Sequence, residues 1–119
     1  MNIEELREYC LSKKGATESF PFDDVTLVFK VGNKMFALTS LNEDLRVNLK
    51  CDPEKTIELR ENYEYVIPGY HMSKKHWISV ILTGNINDKL VYSWIDESYD
   101  LVVAGLTKKE RILLNNNYK

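Results

Sequence analysis

The chain has 119 residues, 44 % hydrophobic and 29 % charged, with a formal net charge of −2. That fits a single domain, 1–119, large enough to build a core without disulfide staples. No apolar run approaches the roughly 18 residues that span a bilayer, and the net charge argues against a generic nucleic-acid binder while leaving room for a local basic face.

The N-terminal MNIEELREYC is acidic and amphipathic, unlike a signal or transit peptide, so the expected compartment is the cytoplasm. Residues 2–13 read as a helix, with Asn2 as its cap, Glu5 reaching back three residues later and Gly15 just past its end. Its carboxylates Glu4, Glu5 and Glu8 suit the positive end of a helix dipole. SFPFDD, 19–24, is a turn-rich lead into a sheet. TLVFKV (26–31), the tight turn Gly32-Asn33 and KMFALTSL (34–41) form a hairpin signature. A second turn, 42–44, leads to LRVNLK (45–50). Asp52-Pro53 opens a helix to about Asn62, with a capping carboxylate and then proline at the first helical position. YEYVIPGYHMSKK is irregular, broken by Pro68-Gly69. WISVIL (77–82) is a strand, 88–104 is the longest helix, and Thr107-Lys108-Lys109-Glu110 is a capping box that opens a short final helix.

The order α-βββ-α-β-αα, with hairpin-linked strands, predicts an α+β fold. It is a two-layer sandwich with an antiparallel sheet and helices on one face. The other face of such a sheet can be open to water. Period-two alternation assigns the faces. Leu27, Phe29, Val31, Leu45, Val47, Leu49, Ile78, Val80 and Leu82 should face the helices. The opposite set is Thr26, Val28, Lys30, Arg46, Asn48, Lys50, Trp77, Ser79 and Ile81. It holds three cations and a tryptophan with no carboxylate, a pattern suited to phosphates and a stacked ring. Solvated strand positions also carry lysine and arginine merely to discourage edge-to-edge pairing, but a solvent-facing tryptophan more often marks a contact surface.

Both histidines fall in YHMSKKHW, 70–77. His71 and His76 are five apart in a loop without a converging thiolate or carboxylate, so no metal is expected. No nucleophile elbow, zinc-protease helix or glycine-rich phosphate loop accompanies them, so no catalytic residues are assigned, no cofactor is implied and no enzyme is expected. Lys74 and Lys75, beside His76 and Trp77, fit an anion grip. The two cysteines, Cys10 and Cys51, have no disulfide framework or metal-site spacing and read as small buried hydrophobes.

PGYHMSKKHWISVILTG followed by SYDLVVAGLTKKER resembles the MmcQ/YjbR family of small bacterial proteins. The positions that carry the likeness are His71, Lys74, His76, Trp77, Val80, Leu82, Gly84, Ser98, Tyr99, Leu106, Lys108, Lys109 and Arg111. EYCLSKKGATESFPF fits the N-terminal half. The resemblance implies a CyaY-like (frataxin-like) sandwich and a "double wing" DNA-binding module and brings no catalytic residues; the iron binding that a frataxin likeness suggests is not expected, because the first helix has few carboxylates and an arginine among them. The expectation is a monomer that binds DNA through Lys30, Arg46, Lys50, His71, Lys74, Lys75, His76 and Trp77. A module for a protein or small ligand on the same face is the alternative, and an enzyme working through His71 or His76 is a third.

Overall fold

The computed structural model describes residues 1–69 and 72–117. Its elements are α1 (Ile3–Leu11), β1 (Thr17–Ser19), β2 (Thr26–Val31), β3 (Lys34–Ser40), β4 (Arg46–Lys50), α2 (Pro53–Asn62), β5 (Val66–Pro68), β6 (Trp77–Ile81), α3 (Asp88–Ala104) and α4 (Lys108–Asn117). The six strands form one antiparallel sheet in the order β1-β2-β3-β4-β6-β5. This is the α+β sandwich that the alternation predicts, extended by β1 and β5. Those two strands have three residues each, too few to show a period, and both lie at sheet edges. Pro68 is tolerated in β5 because an edge strand can lack one ladder donor.

Local chemistry fixes the helix starts. Asn2 Oδ1 accepts the Glu5 N–H at 2.8 Å, and the Glu5 carboxylate accepts the Asn2 N–H at 3.1 Å. Asp52 accepts from Glu54 at 3.0 Å, ahead of Pro53 at the first turn. Thr107 and Glu110 make the same reciprocal pair at 3.0 and 3.1 Å. Each box satisfies backbone donors that a helix start leaves orphaned. The β2–β3 turn has positive φ at both Gly32 (56°) and Asn33 (67°), as a two-residue hairpin turn of the primed kind requires.

The core lies between the sheet and the helices, with Leu6 and Cys10 from α1 and Val91, Trp94, Ile95 and Val102 from α3 meeting Phe29, Val47, Leu49, Ile78 and Val80. Burial pushes the Cys10 thiol up to about 12 and the Cys51 thiol up to about 11. Neither sulfur is therefore primed as a nucleophile, since the thiolate is the reactive form.

The centre of this packing is a flaw in the sheet. Between Phe29↔Ala37 and Lys30↔Met35 the register slips, so Phe36 is an extra residue in β3. A bulge of this kind bends the strand and leaves backbone groups without ladder partners. Phe36 is fully buried and meets the Tyr99 ring edge-to-face at 5.4 Å. Its carbonyl accepts a 2.5 Å bond from the buried Ser98 hydroxyl, which in turn accepts the Lys50 N–H at 2.8 Å. One hydroxyl from α3 thus closes the gap between β3 and β4. The adjacent Tyr99 hydroxyl donates to the Lys14 carbonyl at 2.5 Å and ties α3 to the exit from α1.

Replacing Ser98 with alanine strands one buried acceptor and one buried donor. Each costs about 1–3 kcal/mol, so Ser98→Ala is expected to lower unfolding free energy by roughly 2–6 kcal/mol. Ser93→Ala, whose hydroxyl caps only its own helix's Leu90 carbonyl, should cost under about 1 kcal/mol. Urea denaturation of the two variants compares them, and equal midpoints would contradict the bridging role.

Candidate functional site

The ladder between β4 and β6 pairs Arg46↔Ile81, Val47↔Val80, Asn48↔Ser79, Leu49↔Ile78 and Lys50↔Trp77. Directly opposed residues share a face. Arg46, Asn48, Lys50, Trp77, Ser79 and Ile81 therefore lie on the face away from the helices, as the alternation predicts. Thr17, Lys30 and Met35 join them through the β1–β2 and β2–β3 registers, and Val28 and Leu38 follow likewise.

This face is not the open plane expected from the sequence. Val28, Leu38, Asn48 and Ser79 along its middle are buried, at 0 %, 6 %, 7 % and 0 % exposure. Phe22, Asp23 and Val25 from the β1–β2 connection and Met72 from the β5–β6 connection line one cleft with Leu38, Arg46 and Asn48. Loops therefore stand over the sheet. The Ser79 hydroxyl donates to Asn48 Oδ1, so this part of the face has buried polar partners of its own.

The expected cations consequently separate. Lys50 and Trp77 are cross-strand neighbours and both half-buried. Lys30, half-buried opposite Met35, lies toward the same end of the sheet, because Ala37↔Leu49 aligns β3 with β4 there. The turn before β6 brings Lys74, Lys75 and His76, all exposed, up to Trp77. It is wound by Ser73, whose carbonyl accepts the Trp77 N–H at 2.9 Å and the His76 N–H at 3.1 Å. The His76 carbonyl accepts the Cys51 N–H at 2.8 Å, so the turn is anchored to the end of β4 while the imidazole stays outside. Arg46 is four residues from Lys50 along β4, about 13 Å at strand rise. It lines the loop-covered cleft with Asp23 and Glu43 rather than joining the lysines. His71 lies outside the described residues.

Charge is divided between the layers. The strands carry Lys30, Lys34, Arg46 and Lys50 against one carboxylate, Glu18. Glu18 bonds Arg7 of α1, whose guanidinium holds it below the usual carboxylate range. Lys34 is also engaged, donating to the Gly105 carbonyl at 3.0 Å. α1, α2 and α3 hold Glu4, Glu5, Glu8, Glu54, Glu58, Glu61, Asp88, Asp96, Glu97 and Asp100 against Arg7, Lys55, Arg60 and Lys89, whereas α4 is basic, with Lys108, Lys109 and Arg111 against Glu110. A net charge of −2 thus conceals three acidic helices, α1, α2 and α3, beneath a sheet end rich in lysine. Among the described residues, no three His, Cys, Asp or Glu side chains come together as a metal site. Among the described residues, no helix is long and apolar enough to cross a membrane.

A family model described as YjbR matches residues 11–101. The chain belongs to the YjbR family. It is 36 % identical over 115 residues to the uncharacterized YjbR protein of Escherichia coli K12, covering 96 % of this chain and 98 % of that one. To the uncharacterized YbdF protein of Escherichia coli O157:H7 it is 43 % identical over 96 residues, 77 % of this chain and 76 % of that one. The crystal structure of Deinococcus radiodurans protein DR2400, a DUF419 domain, superposes with a TM-score of 0.88 at 44 % identity, covering 96 % of this chain and 88 % of that one. A crystal structure from Pseudomonas syringae superposes at 0.72, with 29 % identity over 85 % of this chain and 98 % of that one.

The YjbR-like signature divides by location. Ser98 and Tyr99 hold the fold together, and Leu106 is buried beneath the β2–β3 turn, where a side chain on Gly32 would meet it. Lys74, His76 and Trp77 are placed at the surface corner. Periodicity missed Asp23, Glu43 and Met72, because loop residues reach the sheet face through chain reversal. The turn-forming SFPFDD was the only hint of this.

Gly69 sets the position of Trp77. A Cβ at Gly69 would lie 2.7 Å from Trp77 Cβ and 3.1 Å from its backbone carbon and oxygen. Gly69→Ala is therefore expected to push β5 from β6 and cost about 1–3 kcal/mol, the usual range for overpacking. In a Trp94→Phe background, Trp77 emission should also shift to the red. A variant with unchanged urea midpoint and emission would show that this contact does not hold the tryptophan.

Proposed function

We propose that the protein is a non-enzymatic, cytoplasmic DNA-binding module that acts as a monomer through one end of its sheet. The observation that carries this reading is the cross-strand pair Lys50–Trp77 beside the exposed run Lys74, Lys75 and His76. Lysines at this corner neutralise phosphates, and the half-buried indole offers a flat surface for a base. The carboxylates of the helical layer orient the approach, since like charge turns the backbone away from the helices and toward the sheet. Arg46 is outside this surface, so the interface is smaller than the full set of strand cations.

A contact with about four phosphates makes affinity fall roughly a hundredfold between 50 and 200 mM salt. Fluorescence polarisation with labelled single- and double-stranded oligonucleotides is expected to show that slope. Lys74→Ala with Lys75→Ala should reduce it by roughly two phosphates, while Trp77→Ala should weaken binding and leave the slope intact. No binding at tens of micromolar protein in low salt ends the proposal. Salt-independent binding that is lost only with Trp77→Ala would instead favour a protein- or small-ligand-binding module on this face.

A further inference from the structure

The end of the sheet away from the lysine corner carries a second surface, and it goes beyond the nucleic-acid reading. Neighbouring strands present their ends there in turn. Ser19 closes β1, Leu27 stands at the start of β2, Ser40 closes β3, Leu45 precedes β4 and Leu82 follows β6. Two hollows lie along this row, and Ile3 of α1 and Leu41 line both. One, of about 570 Å³, is bounded by Phe20 and Leu27. The other, of about 390 Å³, lies against Leu45 and Leu82. Leu41 is 48 % exposed and Phe20 46 %. A single exposed apolar side chain is ordinary. A leucine shared by two apolar hollows, with a phenylalanine at the far side of one, instead makes a continuous groove.

Dimensions and polarity select the occupant. From β1 to β6 the row spans four strand spacings of about 4.8 Å, roughly 19 Å, the length of a helix of about 13 residues. Ladder N–H and C=O groups point sideways between strands, so strand ends offer an extended segment no backbone partners. A helix satisfies its own backbone and needs only an apolar face. The charged lining residues are Glu4, Arg7 and Glu18 in the larger hollow and Glu43 in the smaller. Arg7 is engaged by Glu18, its Nε donating at 2.7 Å. Glu4 and Glu43 are exposed, and among the described residues neither is in an ion pair. The groove thus has an apolar floor and an uncompensated carboxylate on each half, which favours cationic flanks on the helix that enters it.

We propose that this groove docks a partner protein through a basic amphipathic helix. Leucine-like side chains three and four residues apart fill the hollows on either side of Ile3 and Leu41, and lysines or arginines on the helix flanks meet Glu4 and Glu43. The lysine corner is at the other end of the sheet, so the two contacts do not compete. α4 has the same chemistry, with Ile112 and Leu113 exposed beside Lys108, Lys109 and Arg111. It starts under the β2–β3 turn, where Glu110 approaches Gly32, at the end opposite the groove. Copies joined through it would run head to tail as open chains, which favours a separate partner.

The test is NMR titration of the full ¹⁵N-labelled chain with three model peptides of about 14 residues. Each is taken to roughly 1 mM, enough to saturate a site of micromolar dissociation constant. One is leucine and lysine in helical repeat, the second has glutamate for lysine, and the third alternates leucine and lysine so that no apolar helical face forms. The helical lysine peptide should perturb the amides of Ile3, Phe20, Leu41, Leu45 and Thr83, and the other two should bind at least about tenfold more weakly. Leu41→Ser should weaken it about five- to tenfold, the loss expected when part of a leucine's burial is removed. Glu4→Gln with Glu43→Gln, both exposed and expected to leave the urea midpoint in place, should weaken it about three- to tenfold in low salt. That effect should disappear at high salt. Unlabelled chain added alone should leave these amides unmoved. No perturbation, shifts centred on another acidic surface such as that of Glu8 and Tyr92, equal binding of the three peptides, or an unchanged affinity in the Glu4–Glu43 variant would each overturn the proposal. So would the same shifts from unlabelled chain, which would make a second copy the occupant.

Discussion

The pairing of β4 with β6 decides the molecule's two surfaces at once. The strands are separated in sequence by α2, β5 and the 69–76 connection, and meet in a five-residue antiparallel ladder from Arg46↔Ile81 to Lys50↔Trp77. Slipping β6 by one residue against β4 would turn Ile78 and Val80 out of the core and carry Trp77 inward. The buried aliphatic set makes such a slip too costly. The position of the tryptophan beside a lysine is therefore a consequence of core packing. Ser98 completes the constraint from the other side by joining β4 to the bulged β3 through Lys50 and Phe36.

One sheet face then offers two chemically distinct places. At the Trp77 end the cations are lysines, and three of the groups, Lys74, Lys75 and His76, stand on a turn in solvent. At the Arg46 end the cation is half-buried, under loops that supply Phe22, Asp23 and Met72. Exposed lysines bind extended phosphate chains weakly and with strong salt dependence. The connection between β5 and β6 belongs to both, with Met72 at the cleft and Lys74–Trp77 at the corner.

Most of the fold was legible in the sequence because its signals are local. Asn2–Glu5, Asp52–Pro53 and Thr107–Glu110 announce helix starts by residues three apart or fewer, and the alternation in TLVFKV and RVNLK assigns faces directly. The edge strands were not legible, since Thr17–Ser19 and Val66–Pro68 are shorter than any period and are strands only because β2 and β6 present free edges to them. The covering of the outer face was hidden for a related reason. Val28 and Leu38 are apolar residues on the supposedly wet side, and only the return of loop residues across the sheet makes sense of them. For the same reason Arg46 looked like a partner of Lys50 until the register set them at opposite ends of β4. Ser98 is the converse case, a residue that the family likeness marked without a role and that the bulge at Phe36 explains.

The proposed nucleic-acid interface is the lysine–tryptophan corner and not the sheet face as a whole. The most direct measurement is a ¹H–¹⁵N shift map of the protein titrated with a short oligonucleotide at low salt, following backbone amides and the Trp77 indole. Perturbations are expected only at Lys50, the 73–77 turn, the Trp77 indole and the neighbouring end of β3, with Arg46 and the helical layer silent. Shifts centred on the Arg46 cleft or on α1 and α3, with a silent Trp77 indole, would contradict it.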